Sequence, residues 1–183
     1  MMRYLMLAAL VAWSANVHAV CNDRIDANTP NSRFVDEGDG TVTDTRTGLR
    51  WQRCPVGYQL SDNGTGGQYD DDSCTATGTT LFNWQDALQA AADLNGGGGL
   101  GGFVDWRVPS VKELASIVEY QCDSPAINES IFPDTSTTQF WSSTPRRLID
   151  SAFVIDFGTG ASSWNYKDIA GFEIPVRLVR GSP

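Results

Sequence analysis

The sequence predicts an α+β domain, with two helices and several short antiparallel strands held by disulfides. Two segments have helical periodicity bounded by caps, the remaining apolar runs are short and separated by glycine-bearing turns, and four cysteines follow an export-type leader. The best-specified helix lies in Asp105 to Tyr120, DWRVPSVKELASIVEY. Trp106 and Val108 alternate with Asp105 and Arg107, as in a strand with one apolar face. Pro109 ends that strand, and Ser110 with Glu113 forms a capping box. Val111, Leu114, Ala115 and Val118, widened by Ile117, form one helical stripe, which predicts a helix from Val111 to about Tyr120 or Gln121.

The second helix begins after Asn83, a good N-cap with Asp86 at the third position. Its stripe is Trp84, Ala87, Leu88 and Ala91, and it ends at Asn95. Gly96 to Gly102 contains six glycines in seven residues and reads as a flexible connector.

Strands fill much of the rest. Phe34-Val35, Thr41–Asp44 and Leu49–Gln52 are separated by Asp36–Gly40 and Thr45–Gly48, which predicts two successive hairpins with Val42, Leu49 and Trp51 facing the core. Phe140–Ser143 and Ser151–Phe157 read as further strands, the second apolar on both faces and therefore central. Gly158–Gly160 turns the chain into Ala161 to Lys167, and Pro175–Arg180 supplies a closing strand. Pro125–Thr138 is an irregular loop packed by Ile127, Ile131 and Phe132. Pro55–Thr80 is polar and glycine-rich and reads as a long surface loop.

The first 19 residues carry one charge at Arg3, a short apolar run from Tyr4 to Trp13, and Val17 and Ala19 at the positions a signal-peptide cut requires. A lipoprotein anchored at Cys21 is the competing reading, although Ala19-Val20 is a poor lead-in. Cleavage after Ala19 removes 19 of the 183 residues and leaves 164, enough for one domain from 34 to 183 behind an extended lead-in over 20–33. The expected location is exported: periplasmic, secreted or cell surface. No transmembrane segment is expected after cleavage.

Composition excludes several function classes. Loss of Arg3 takes the formal charge from -9 to -10, and a surface that acidic disfavours nucleic acid. The single histidine, His18, lies in the leader. The mature chain therefore has no imidazole for Ser-His-Asp or Cys-His catalysis or for the common zinc, copper and haem sites. Cys21, Cys54, Cys74 and Cys122 predict two disulfides with three open pairings. Cys54 with Cys74 is preferred because they bracket a loop without a core, which leaves Cys21 with Cys122.

GDGTVTDTRTGLRWQRC (38–54), ALQAAADLN (87–95), DWRVPSVKELASIV (105–118), PAINESIFP (125–133), FWSST (140–144) and VRLVRG (176–181) occur in that order. Together they resemble the Lcl C-terminal domain family of exported bacterial domains over nearly all of residues 34–181. The resemblance implies a C-type-lectin-like α+β fold, related in shape to formylglycine-generating and sulfatase-modifying domains, and a role in attachment. The founding domain is associated with sulfated glycosaminoglycans, a ligand that the charge of this chain opposes.

Asp70, Asp71 and Asp72, and separately Asp36, Asp39 and Asp44, are oxygen clusters of a kind that calcium takes, making calcium the one candidate cofactor. Neither has EF-hand spacing, and the EPN, QPD and WND tripeptides of calcium-dependent lectins are absent. Hairpin turns and a solvated acidic loop are the competing reading. Trp164, Asn165 and Tyr166 lie in a polar stretch and are the candidate ligand-binding residues, whereas Trp51, Trp84, Trp106 and Trp141 are assigned to the core. Asp105 and Arg107 are expected to pair with each other, with Arg177 or with Glu113. The expected function is a non-catalytic binding module, adhesin-like or an accessory of a surface filament such as a pilus, with an envelope or surface protein or a neutral glycan as partner. A calcium-dependent glycan-binding lectin is the alternative, and a carboxylate-based hydrolase a remote one.

Overall fold

A computed structural model describes residues 19–62, 72–147, 150–168 and 172–181. Residues 1–18 of the leader, Asp70 and Asp71 lie outside them. Strand β1 (Val20–Cys21) opens the chain, and a 3-10 turn over Asn31–Arg33 leads into β2 (Phe34–Asp36), β3 (Thr41–Asp44) and β4 (Arg50–Gln52). These three form an antiparallel meander, as the two glycine-bearing turns require. β5 (Tyr58–Ser61) pairs with β6 (Ser73–Ala76), so Pro55–Thr80 contains a hairpin rather than an unstructured loop. Period-two alternation is poor there, and the Cys54–Cys74 bridge, with Leu60 opposite Cys74, fixes what propensity leaves open.

Helix α1 (Trp84–Gly96) begins where expected, with the Asn83 side chain accepting from the Asp86 N–H. Helix α2 (Val111–Ala115) has the full Ser110–Glu113 capping box but is much shorter than its apolar stripe. Ser116 Oγ donates back to the Glu113 carbonyl at 2.6 Å, and the next two N–H groups bond only three residues back. Val118 then bridges to Ile127 and draws the chain out of the helix. Its stripe is nevertheless buried: Leu114, Ile117 and Val118 are all at 0% exposure.

β7 (Cys122–Asp123) pairs with β1, bringing Cys21 opposite Cys122. β8 (Gln139–Arg146), β9 (Ser151–Asp156) and β10 (Ala161–Tyr166) form an antiparallel sheet with β9 central, and β11 (Val179–Arg180) closes the four-stranded sheet β11-β4-β3-β2. Of the two remaining expected strands, 105–108 contributes only a bridge from Arg107 to Val179, and the closing strand 175–180 pairs regularly only at β11. The alternation still holds, with Trp106 and Val108 buried.

Two core clusters share β9. Ile155, followed by Phe157, packs with Trp51, Leu114, Phe132 and Phe140, whereas Ala152 and Val154 face Ala87, Trp106 and Trp141 under α1. That two-sided burial is why β9 is apolar from Ala152 to Ile155. Trp84 is only partly buried; it packs beside the second cluster and donates through Nε1 to the Ser142 carbonyl.

Both disulfides form as expected, Cys21–Cys122 and Cys54–Cys74. The segment 20–33 is more than a lead-in. Glu119 accepts from the N–H groups of Asn28, Thr29 and Gln121 and from Thr29 Oγ1, and Arg33 pairs with buried Asp44 at 2.5 Å. The glycine-rich connector is also ordered: the Asn95 side chain both accepts from and donates to the Trp106 backbone, and Trp106 Nε1 donates to the Leu100 carbonyl. Gly99 has φ +74°, and a Cβ there would collide with the Phe103 carbonyl. Among the described residues no helix is long and apolar enough to cross a membrane.

Candidate functional site

β10 is the edge strand of the β8-β9-β10 sheet, six residues long and uncharged, in register with β9 from Ala161 to Tyr166. Alternation along it places Trp164 and Tyr166 on one face and Asn165 on the other. Trp164 and Tyr166 are 39% and 40% exposed, and their rings meet edge to face with centroids 5.5 Å apart. Phe153 lies opposite Trp164 on β9 and extends the apolar patch. Arg146, from the end of β8, lays its guanidinium over the Trp164 ring at 4.3 Å. The patch is thus an aromatic pair on a rigid strand, with one tryptophan face covered by a cation.

Asn165 is separated from this pair. It is 9% exposed, its Nδ2 donates to Gln139 Oε1, and its Oδ1 accepts from the Tyr166 N–H. It positions the strand and does not join the exposed surface. Beyond Tyr166, Lys167 sits over the Trp84 ring at 4.3 Å and near Asp150 at 3.7 Å. The polar stretch that holds Trp164, Asn165 and Tyr166 is therefore strand up to Tyr166. Arg146 and Phe153 were not legible as site residues, because only strand pairing brings them beside Trp164.

The aspartates have structural partners. The Asp72 side chain is almost fully buried and pairs with buried Arg53 at 2.6 Å, and Asp70 and Asp71 lie outside the described residues. Asp44 pairs with Arg33, Asp39 with Arg50 at 2.5 Å, and Asp36 lies 3.6 Å from Arg53. Among the described residues no group of three or more acidic, cysteine or histidine side chains is placed to hold a metal ion. Asp105 and Arg107 take separate partners. Asp105 receives two hydrogen bonds from Arg180, which hold its carboxyl below the usual range, while Arg107 grips Glu113 at 2.9 and 2.6 Å.

Burial pushes the carboxyls of Asp44, Glu113 and Glu119 up, and hydrogen bonds from Arg33, from Arg107 and from Thr29 more than offset it, so all three end below their ordinary values. Groups held this way are stabilised as anions. A general acid needs the opposite environment. Arg177 is the reverse case: full burial, reinforced by repulsion from Arg53, lowers it to about 9. It donates to the Gln52 and Arg53 carbonyls and to Thr135 Oγ1, and so joins β4 to the apolar loop.

The comparison with curated proteins gave no match. The comparison with protein families matched residues 40–180 to the Lcl C-terminal domain, covering β3 and β4 of the meander, both helices and the three-stranded sheet. The two disulfides and this match fit an exported protein. On that match, which spans most of the sequence, the chain belongs to the Lcl C-terminal domain family.

Proposed function

We propose that this chain is a non-catalytic binding module of the cell exterior, and that Trp164 and Tyr166 on β10 make the main contact with a protein of the envelope or of a surface filament. The observation that carries this reading is the exposed aromatic pair on a rigid, uncharged edge strand. Tryptophan and tyrosine are the residues that dominate protein interfaces, and a fixed strand presents them at little entropic cost. The absence of histidine from the mature sequence and the downward carboxyl shifts both support binding over catalysis. A neutral glycan is the second reading, because aromatic rings also stack on sugar faces. The protein reading is preferred since Arg146 already covers one face of Trp164.

The test is a Trp164→Ala, Tyr166→Ala double variant, first shown to melt like the parent and then used to recover partners from the native envelope. Loss of about tenfold or more in a recovered protein is expected. Unchanged recovery would place the site elsewhere, and elution by a soluble neutral glycan would favour the second reading.

A further inference from the structure

The outer strands of the two larger sheets differ in how they are guarded against pairing. β8 carries Pro145 and a break in register after Trp141, β2 carries Asp36, and β11 carries Arg180. β10 has no proline, no charge and no bulge along its six residues, and among the described residues no strand lies on its far side. Such an edge is a template for another strand. We propose that β10 pairs antiparallel with β10 of a second copy of this chain, about a two-fold axis at Ser163, to give a six-stranded sheet.

The backbone sets this register. The Lys167 N–H donates to the Asp150 carbonyl at 3.1 Å, one step beyond the Tyr166–Ser151 pair. Antiparallel ladder bonds alternate, so Ala161, Ser163 and Asn165 also turn their backbone groups toward β9, while Ser162, Trp164 and Tyr166 turn theirs outward. The outward Tyr166 N–H is already held by Asn165 Oδ1 at 2.8 Å, and at the other end the Gly160 N–H is held by the Asp156 carbonyl at 2.7 Å. Both N–H and both C=O groups of Ser162 and Trp164 are left to pair. Only one two-fold register uses all of them: Ser162 opposite the partner's Trp164, and Trp164 opposite the partner's Ser162. Centring the axis on Ser162 or on Trp164 instead sets a carbonyl against the occupied Gly160 or Tyr166 N–H. The side chains agree with this register. Trp164 meets the partner's Ser162, Tyr166 meets the partner's Gly160, and Lys167 falls opposite the partner's Thr159, so large residues face small ones and no like charges meet. Trp164 and Tyr166 of both copies then lie on one face of the joined sheet, and the second copy completes a larger aromatic patch.

This proposal goes beyond the envelope-partner reading and does not rest on it, because self-association is read on the purified protein alone. The test is sedimentation equilibrium of the disulfide-bonded protein. One strand pair covers an area at the low end of specific interfaces, so a monomer–dimer equilibrium with a dissociation constant on the order of 10 μM is expected. Ser162→Pro removes only an outward N–H, which an edge strand tolerates, and should weaken the dimer about tenfold. Ser163→Lys and Ser163→Asp, which set like charges against each other across the axis, should each be monomeric, and an equimolar mixture of the two should restore a dimer. That mixture carries the test even where Ser162→Pro folds poorly. A parent protein that stays monomeric at millimolar concentration, a dimer unaffected by Ser162→Pro, or folded Ser163 variants that fail to pair when mixed would overturn the proposal.

Discussion

Arg53 Nη1 stands 2.6 Å from Asp72 Oδ2, with both side chains almost fully buried, and this contact ties the end of the β4 segment to the start of β6. Arg53 also donates to the Ser130 and Ile131 carbonyls, so one guanidinium joins the meander, the disulfide-linked hairpin and the apolar loop. Removing one partner of a buried pair leaves the other charge exposed to a low dielectric. Asp72→Ala is therefore expected to destabilise the domain by about 3–5 kcal/mol, read as a lowered denaturation midpoint. Because that carboxylate is engaged, millimolar calcium should leave the melting temperature of the parent protein unchanged. A calcium-dependent rise would restore the metal reading of Asp70 to Asp72.

Trp106 and Trp164 should separate core from surface. Trp106 is 2% exposed, bonded through its indole to Leu100 and latched by Asn95, whereas Trp164 is 39% exposed. Trp106→Ala is expected to cost about 3–5 kcal/mol and to lower the melting temperature by roughly 10 °C. Trp164→Ala loses only cross-strand and cation contacts, below about 1 kcal/mol. Equal melting temperatures would show that the core is wrongly placed.

The two disulfides close loops of different size, with sequence separations of 101 and 20. If restriction of the unfolded chain is the main effect, removing Cys21–Cys122 should cost about 1–2 kcal/mol more than removing Cys54–Cys74. Paired Ser variants compared by denaturant unfolding check this, and the reverse order would point to local native-state effects.

Acid should destabilise the fold through Asp44, Glu113 and Glu119. Each has a folded pKa below its unfolded value, so its contribution is complete above that unfolded value. The contribution is lost as pH falls from about 4.5 for the glutamates and 3.8 for Asp44 toward their lower folded values. Unfolding free energy measured across that range should fall with pH, and Glu119→Gln should flatten the slope.

Residues with local instructions were legible in the sequence. The Ser110–Glu113 capping box, the Asn83 cap, the hairpin glycines and the apolar run of β9 each dictate structure through contacts a few residues apart. The cysteine pairing was legible too, because a polar loop without a core needs a crosslink. What the tertiary structure alone decided depends on partners distant in sequence. α2 stops at Ala115 because Val118 pairs with Ile127, although its apolar stripe continues. Asp72 is an ion-pair partner because the β5–β6 hairpin folds back onto Arg53, whereas in sequence it reads as one of three like aspartates. Asn165 turns inward while its neighbours face out, since a strand alternates every residue. Arg146 reaches Trp164 only through the register of β8, β9 and β10, for local patterning sets elements and faces, while charge pairing and site assembly follow from packing between distant segments.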